Sequence, residues 1–127
     1  MKLLRFGMVA FAVLWAGHSH AESCKAMTTG ELTELTAKGI TLKLGGAGQG
    51  YAGTLKLKKD GTGKGGAKTD SGKKIEIQGT WFIANDKFCR TWAGLDDSQE
   101  VCEKWCLTSG NSVNVYKGNK VIGVNSW

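Results

Sequence analysis

The stretch Lys73-Lys74-Ile75-Glu76-Ile77-Gln78-Gly79-Thr80-Trp81-Phe82-Ile83-Ala84-Asn85-Asp86-Lys87-Phe88-Cys89-Arg90-Thr91-Trp92-Ala93 decides the fold. Ile75, Ile77, Trp81 and Ile83 share one face of an extended chain, against Glu76, Gln78 and Thr80 on the other. That period of two is the alternation of side chains across a half-buried strand. Asn85-Asp86 then supplies residues that tolerate turn geometry, and a second strand follows. The stretch therefore reads as a hairpin with one dry face.

Working outward, the same alternation recurs with Gly53, Leu55 and Leu57 on one face against Lys56 and Lys58. Strands are predicted over 40–44, 51–58, 62–68, 73–84, 87–93, 99–107, 112–117 and 120–126, with Asp60-Gly61, Asp70-Ser71-Gly72, Ser109-Gly110-Asn111 and Gly118-Asn119 as further turns. Upstream, Thr28-Thr29-Gly30-Glu31 has the spacing of a capping box. A helix is predicted over 29–38, with Leu32 and Leu35 on one face and Gly39 closing its end. Short antiparallel strands joined by tight turns close most economically into an up-and-down barrel, which removes exposed edges. The expectation is an all-β barrel of about eight strands preceded by one short helix, with a small sandwich as the alternative.

Lys2 and Arg5 precede an apolar run from Phe6 to Ala16, and Ser19-His20-Ala21 follows, the layout of a cleaved secretory signal over 1–21. The apolar run is shorter than the roughly 20 residues that a spanning helix needs, so no transmembrane segment is expected in the mature chain 22–127. A periplasmic or secreted location follows. Both histidines, His18 and His20, would leave with the signal, and the net charge would fall from +6 to +4 as Lys2 and Arg5 depart. A histidine-free chain lacks the side chain best suited to proton transfer near neutral pH. This points away from triads, Cys-His pairs and histidine zinc sites, and no catalytic residue, cofactor or metal is expected. Asp and Glu alone can run glycoside chemistry, but no pair of them can be placed.

Cys24, Cys89, Cys102 and Cys106 allow three pairings, and export makes disulfides the default over a zinc site. Cys102 and Cys106 on one strand would lie about 13 Å apart, too far to bridge. A hairpin turning around Leu95-Asp96 sets Cys89 opposite Cys102 and leaves Cys24 for Cys106, which is the favoured pairing.

Trp81, Trp92, Trp105 and Trp127 fill a core or line a ligand pocket, and core filling is the commoner use. Arg90 shares a strand face with Trp92 and falls near Glu103 in the same hairpin. The pair is either a polar handle in an apolar cavity or a surface ion pair worth little. As a handle, Arg90 would suit anionic amphiphiles such as fatty acids. Adjacent Asp96 and Asp97 read as turn residues. Gly48-Gln49-Gly50-Tyr51-Ala52-Gly53 fits Gly-x-Gly-x-x-Gly, but a strand follows where a dinucleotide site needs a helix, so it reads as a turn. Lys56 to Lys74 carries seven lysines and two acids. Without arginine or aromatics it does not suit nucleic acid. It reads as a solvated hairpin, or as a patch for an anionic surface or another envelope protein.

Gly79-Thr80-Trp81, Phe88-Cys89-Arg90-Thr91-Trp92, Cys102 and the late turn Gly118-Asn119 together resemble small exported bacterial proteins of unknown function with lipocalin-like (calycin-type) barrels. Their opening helix and first strand correspond to Thr29–Leu44, and their strand with Asp-Gly at its turn to Leu55–Gly61. The resemblance implies a barrel of eight or slightly fewer strands and an envelope location, with no assigned activity. Cys24, Cys106 and the lysine-rich hairpin depart from it. The function expected is non-enzymatic binding of a small apolar or amphipathic molecule, with Trp81, Arg90, Trp92, Glu103 and Trp105 as site residues. The alternative is a protein-binding or envelope-surface module, inhibitor-like, acting through loops and the lysine hairpin.

Overall fold

Each alternating stretch is a strand in the computed structural model, which describes residues 24 to 127. The signal expected over 1–21 and the start of the mature chain at 22 lie outside the described residues. After a helix α1 (Thr29–Thr36) come β1 (Ile40–Gly46), β2 (Tyr51–Leu57), β3 (Thr62–Thr69), β4 (Lys74–Ala84), β5 (Lys87–Trp92), β6 (Val101–Ser109), β7 (Ser112–Lys117) and β8 (Lys120–Ser126). Each strand pairs antiparallel with the next, and β8 returns to β1 to close an eight-stranded barrel. The hairpin of the opening stretch keeps its register, with Trp81 facing Arg90 and Ala84 facing Lys87 across β4 and β5. Asn85 and Asp86 both take positive φ, the conformation a two-residue hairpin turn requires.

The inward faces make the core. Leu42, Leu55, Leu57, Phe88, Trp105 and Val113 are all buried there, and each comes from an apolar position of the alternation. The helix plugs one end. Thr28 and Glu31 form the capping box, with the Glu31 amide donating to Thr28 Oγ1 at 3.1 Å and the Thr28 amide to Glu31 Oε1 at 2.9 Å. Thr29 and Asp86 exchange two hydrogen bonds, at 2.6 and 2.7 Å, which tie the helix start to the β4–β5 turn. Leu32 drops fully into the barrel. The helix stops at Thr36, two residues before the expected end; Gly39, at φ +80°, donates its amide to the Thr36 carbonyl at 2.9 Å.

Strand β6 starts at Val101 rather than at 99, because residues Asp96–Ser98 form a tight 3-10 turn in which all three take positive φ. β5 and β6 pair over only three residues, with Cys89 facing Cys102. The vacant edge of β6 below them is taken by the N-terminal segment, where the Met27 amide donates to the Trp105 carbonyl at 2.8 Å and the Leu107 amide to the Lys25 carbonyl at 2.9 Å. Disulfides join Cys89 to Cys102 and Cys24 to Cys106, the favoured pairing. The second one pins the N-terminal segment to β6. Among the described residues no helix is long and apolar enough to cross a membrane.

Candidate functional site

The helix covers one end of the barrel; the opposite end is framed by the β1–β2, β3–β4, β5–β6 and β7–β8 connections. Under those loops lies a cavity of about 210 Å³. Strand parity sends Phe88, Arg90 and Trp92 inward from β5 and Glu103 and Trp105 inward from β6, and all five line it. Leu44, Leu55, Ile77 and Val115 supply the aliphatic wall.

Trp92 reaches the cavity because two glycines make room for it. Gly63 faces Gly79 across β3 and β4, and Gly79 faces Trp92 across β4 and β5. A Cβ on Gly63 would stand 2.9 Å from the Trp92 ring, closer than carbon atoms pack. Tyr51 works similarly at the seam between β1 and β8, where the strands pair only at Lys43–Ser126 and Leu44–Asn125. Its ring crosses over Gly45, and its hydroxyl accepts the Val124 amide at 3.0 Å.

The charged centre is buried. Arg90 is 7% exposed and Glu103 is 6% exposed. Arg90 Nε donates to Glu103 Oε2 at 2.8 Å, and the other Glu103 oxygen accepts the Trp105 indole N–H at 3.0 Å. Arg90 Nη1 donates to Asp96 Oδ2 at 2.6 Å, which draws the β5–β6 loop down and sets Leu95 against the cavity. The Lys117 ammonium stands 3.5 Å from the other Asp96 oxygen. Burial pushes the Glu103 carboxyl above its ordinary range, against the pull of Arg90. The bond from Arg90 holds Asp96 below its ordinary range. Burial works against the Arg90 charge, yet Glu103 and Asp96 together hold its pKa up. Two carboxylates thus surround one guanidinium, an arrangement that binds charge internally.

Of the side chains singled out in the sequence, Arg90, Trp92, Glu103 and Trp105 come together on the cavity wall. Trp81 stands apart from it: its indole N–H donates to the Thr62 carbonyl at 2.9 Å, and its ring stacks on Phe88 at 5.8 Å. Phe88 in turn packs on Trp105 at 4.8 Å. Trp127 is at the helix end, where its carbonyl accepts from the Asn111 side chain at 3.0 Å.

Three contributors were not legible. Asp96 read as a turn residue, and its bond to Arg90 depends on a left-handed loop. Tyr51 sat inside a glycine-rich turn signal. Asn125 is hidden by a bulge: Val115 faces Gly123 while Tyr116 faces Val121, so Ile122 is an extra residue in β8. An extra residue reverses the face of everything beyond it, and Asn125 turns into the barrel at 9% exposure. No protein-family model, curated protein or solved structure matches the chain, so its likeness to lipocalin-type barrels rests on the eight-stranded antiparallel architecture.

Proposed function

We propose that this is an exported, non-enzymatic barrel that binds a small apolar or amphipathic molecule in its open end. The observation that carries the reading is the 210 Å³ cavity walled by Trp92, Trp105, Phe88 and aliphatic side chains around a buried polar centre. An apolar cavity of about 150 Å³ accepts benzene, whereas sites for drug-sized ligands run to about 300–1,000 Å³. The occupant is therefore a molecule of one ring or a short chain, smaller than a long-chain fatty acid. Both carboxylates near the cavity are engaged with Arg90, which suits a positioning role better than proton transfer. Two disulfides and the secretory layout of the first 21 residues support a periplasmic or secreted location.

Native mass spectrometry of protein purified from its own host should show a retained small mass, and toluene should change the tryptophan emission because Trp92 and Trp105 line the cavity. An unchanged emission and a bare mass would sink the reading.

A second reading, an envelope-surface module, is favoured by one observation. Lys56 and Lys64 sit directly opposite each other on β2 and β3, and no lysine between 56 and 74 forms an ion pair among the described residues. Like charges in register oppose strand pairing. Salt-sensitive binding to anionic vesicles, abolished by Lys56→Gln with Lys64→Gln, would support that reading.

A further inference from the structure

The polar wall of the cavity holds more hydrogen-bonding capacity than the protein uses. Asn125 lines the cavity, is about nine-tenths buried, and its side chain has no hydrogen-bond partner among the described residues. Arg90 has five N–H donors and uses one at Nε and one at Nη1, which leaves three. The Tyr51 hydroxyl accepts from Val124, and its own proton has no acceptor among the described residues. Buried polar groups in folded proteins are normally paired, and each one that is not calls for an explanation. All three residues line the same cavity, and among their spare groups donors outnumber acceptors.

The charges then narrow the ligand. Arg90 alone would suggest an anion. Its charge, however, is already met by Glu103 at 2.8 Å and by Asp96 on the loop side. An anionic head group reaching the free guanidinium donors would enter beside the Glu103 carboxylate, in surroundings that screen poorly. A cationic head group would enter beside Arg90. An uncharged acceptor meets neither obstacle, and it satisfies the Arg90 and Asn125 donors while its body packs on Trp92 and Trp105. Resting on the cavity reading above, we propose that the ligand is a small uncharged molecule with a carbonyl-type acceptor, such as an amide, lactone or ketone, on an aromatic or alicyclic body.

Four probes of similar size separate the possibilities: toluene, benzamide, benzoate and benzylamine, titrated near pH 7 into the disulfide-bonded protein. ¹H–¹⁵N NMR follows the Asn125 side-chain amide, the Arg90 Nε–H and the Trp92 and Trp105 indole N–H signals. Benzamide should bind about tenfold or more tightly than toluene, the difference expected from hydrogen bonds to otherwise unpaired donors. Benzoate and benzylamine should bind no more tightly than toluene. Asn125→Leu should weaken benzamide to the level of toluene or below, and toluene shifts of the Trp92 and Trp105 indole signals in the variant show that it has kept its cavity. Benzoate binding more tightly than benzamide, or toluene equalling benzamide in the unaltered protein, would overturn the ligand class and leave the cavity reading standing. If no probe shifts the cavity signals at up to about 10 mM, within reach of ligands this small, the spare groups serve bound water and both readings fall.

Discussion

Replacing Arg90 by leucine is the most direct test of the charged centre. Glu103 would keep the Trp105 indole bond and lose its charged partner, while remaining 6% exposed in the barrel wall. Removing one partner of a buried ion pair destabilises by about 3–5 kcal/mol, because the charge left behind is uncompensated. For a domain of this size that is a fall in Tm of about 15 °C or more. The pH dependence follows from linkage. Burial already raises the Glu103 carboxyl, and loss of Arg90 raises it further, so the folded variant holds a proton that the unfolded chain releases near pH ~4.3. Stability of the variant should therefore fall as pH rises above that value, by at most about 1.4 kcal/mol per pH unit, until the folded carboxyl ionises. Urea unfolding followed by near-UV circular dichroism at pH 5 and pH 7.5 measures this, and the deficit should be larger at the higher pH. Adding Glu103→Gln removes the stranded charge and keeps an acceptor for Trp105, so the double variant should recover most of the loss. A deficit for Arg90→Leu below about 1 kcal/mol, or one that is the same at both pH values and in the double variant, would refute the claim that this is a buried, partnered charge.

Acid should loosen the β5–β6 loop: the Asp96 carboxyl is held low by Arg90, so its contribution is present above the ordinary carboxylate range and is lost as pH falls through its folded value, which amide exchange at Leu95 would report. Gly63→Ala should destabilise by about 1–3 kcal/mol through overpacking against Trp92, with a change in the near-UV spectrum of that indole; an unchanged melting curve would mean that the ring is free to move. Removing the Cys89–Cys102 bridge, which spans 13 positions, should lower stability by about 3 kcal/mol on a chain-entropy estimate, as read by urea unfolding. Intact mass of exported protein should match 22–127 with all four cysteines oxidised, and reactive thiols would contradict the pairing.

The barrel was legible because most strands carry one apolar and one polar face and the turns carry their own chemistry. Leu55 and Leu57 on β2, and Phe88 and Trp92 on β5, lie where alternation places them. The Arg90–Glu103 pair was legible for the same reason, since parity and a hairpin turn together place two side chains diagonally across a ladder. What escaped depends on local departures from regularity. Three consecutive left-handed residues at Asp96–Ser98 fold the loop back onto Arg90, and the bulge at Ile122 reverses the face of β8. Neither has a composition signal, because Asp-Asp-Ser is ordinary turn material and Val-Ile-Gly-Val suits a regular strand. The segment Lys25–Met27 escaped too; its place on β6 depends on β5 leaving that edge vacant, a long-range condition that no window of sequence contains.

The Tyr51 contact also bears on how evenly the barrel is closed. Seven of the eight junctions of this barrel are ladders of three or more paired residues, whereas the β1–β8 junction has two. Beyond those two, a phenol side chain stands in for a rung of backbone. The Val124 amide therefore depends on a side chain, rather than on a backbone carbonyl of β1, for its hydrogen bond at this seam. The closure is thus uneven, with its two shortest ladders at β1–β8 and β5–β6. Exchange with solvent at Val124 should be faster than at neighbouring amides of β7, and it should slow when the cavity is filled, because local opening draws on the least stable contacts. Under the proposed function, the seam beside Tyr51 is where amide exchange would report an occupant, while the β5–β6 loop stays tied to Arg90.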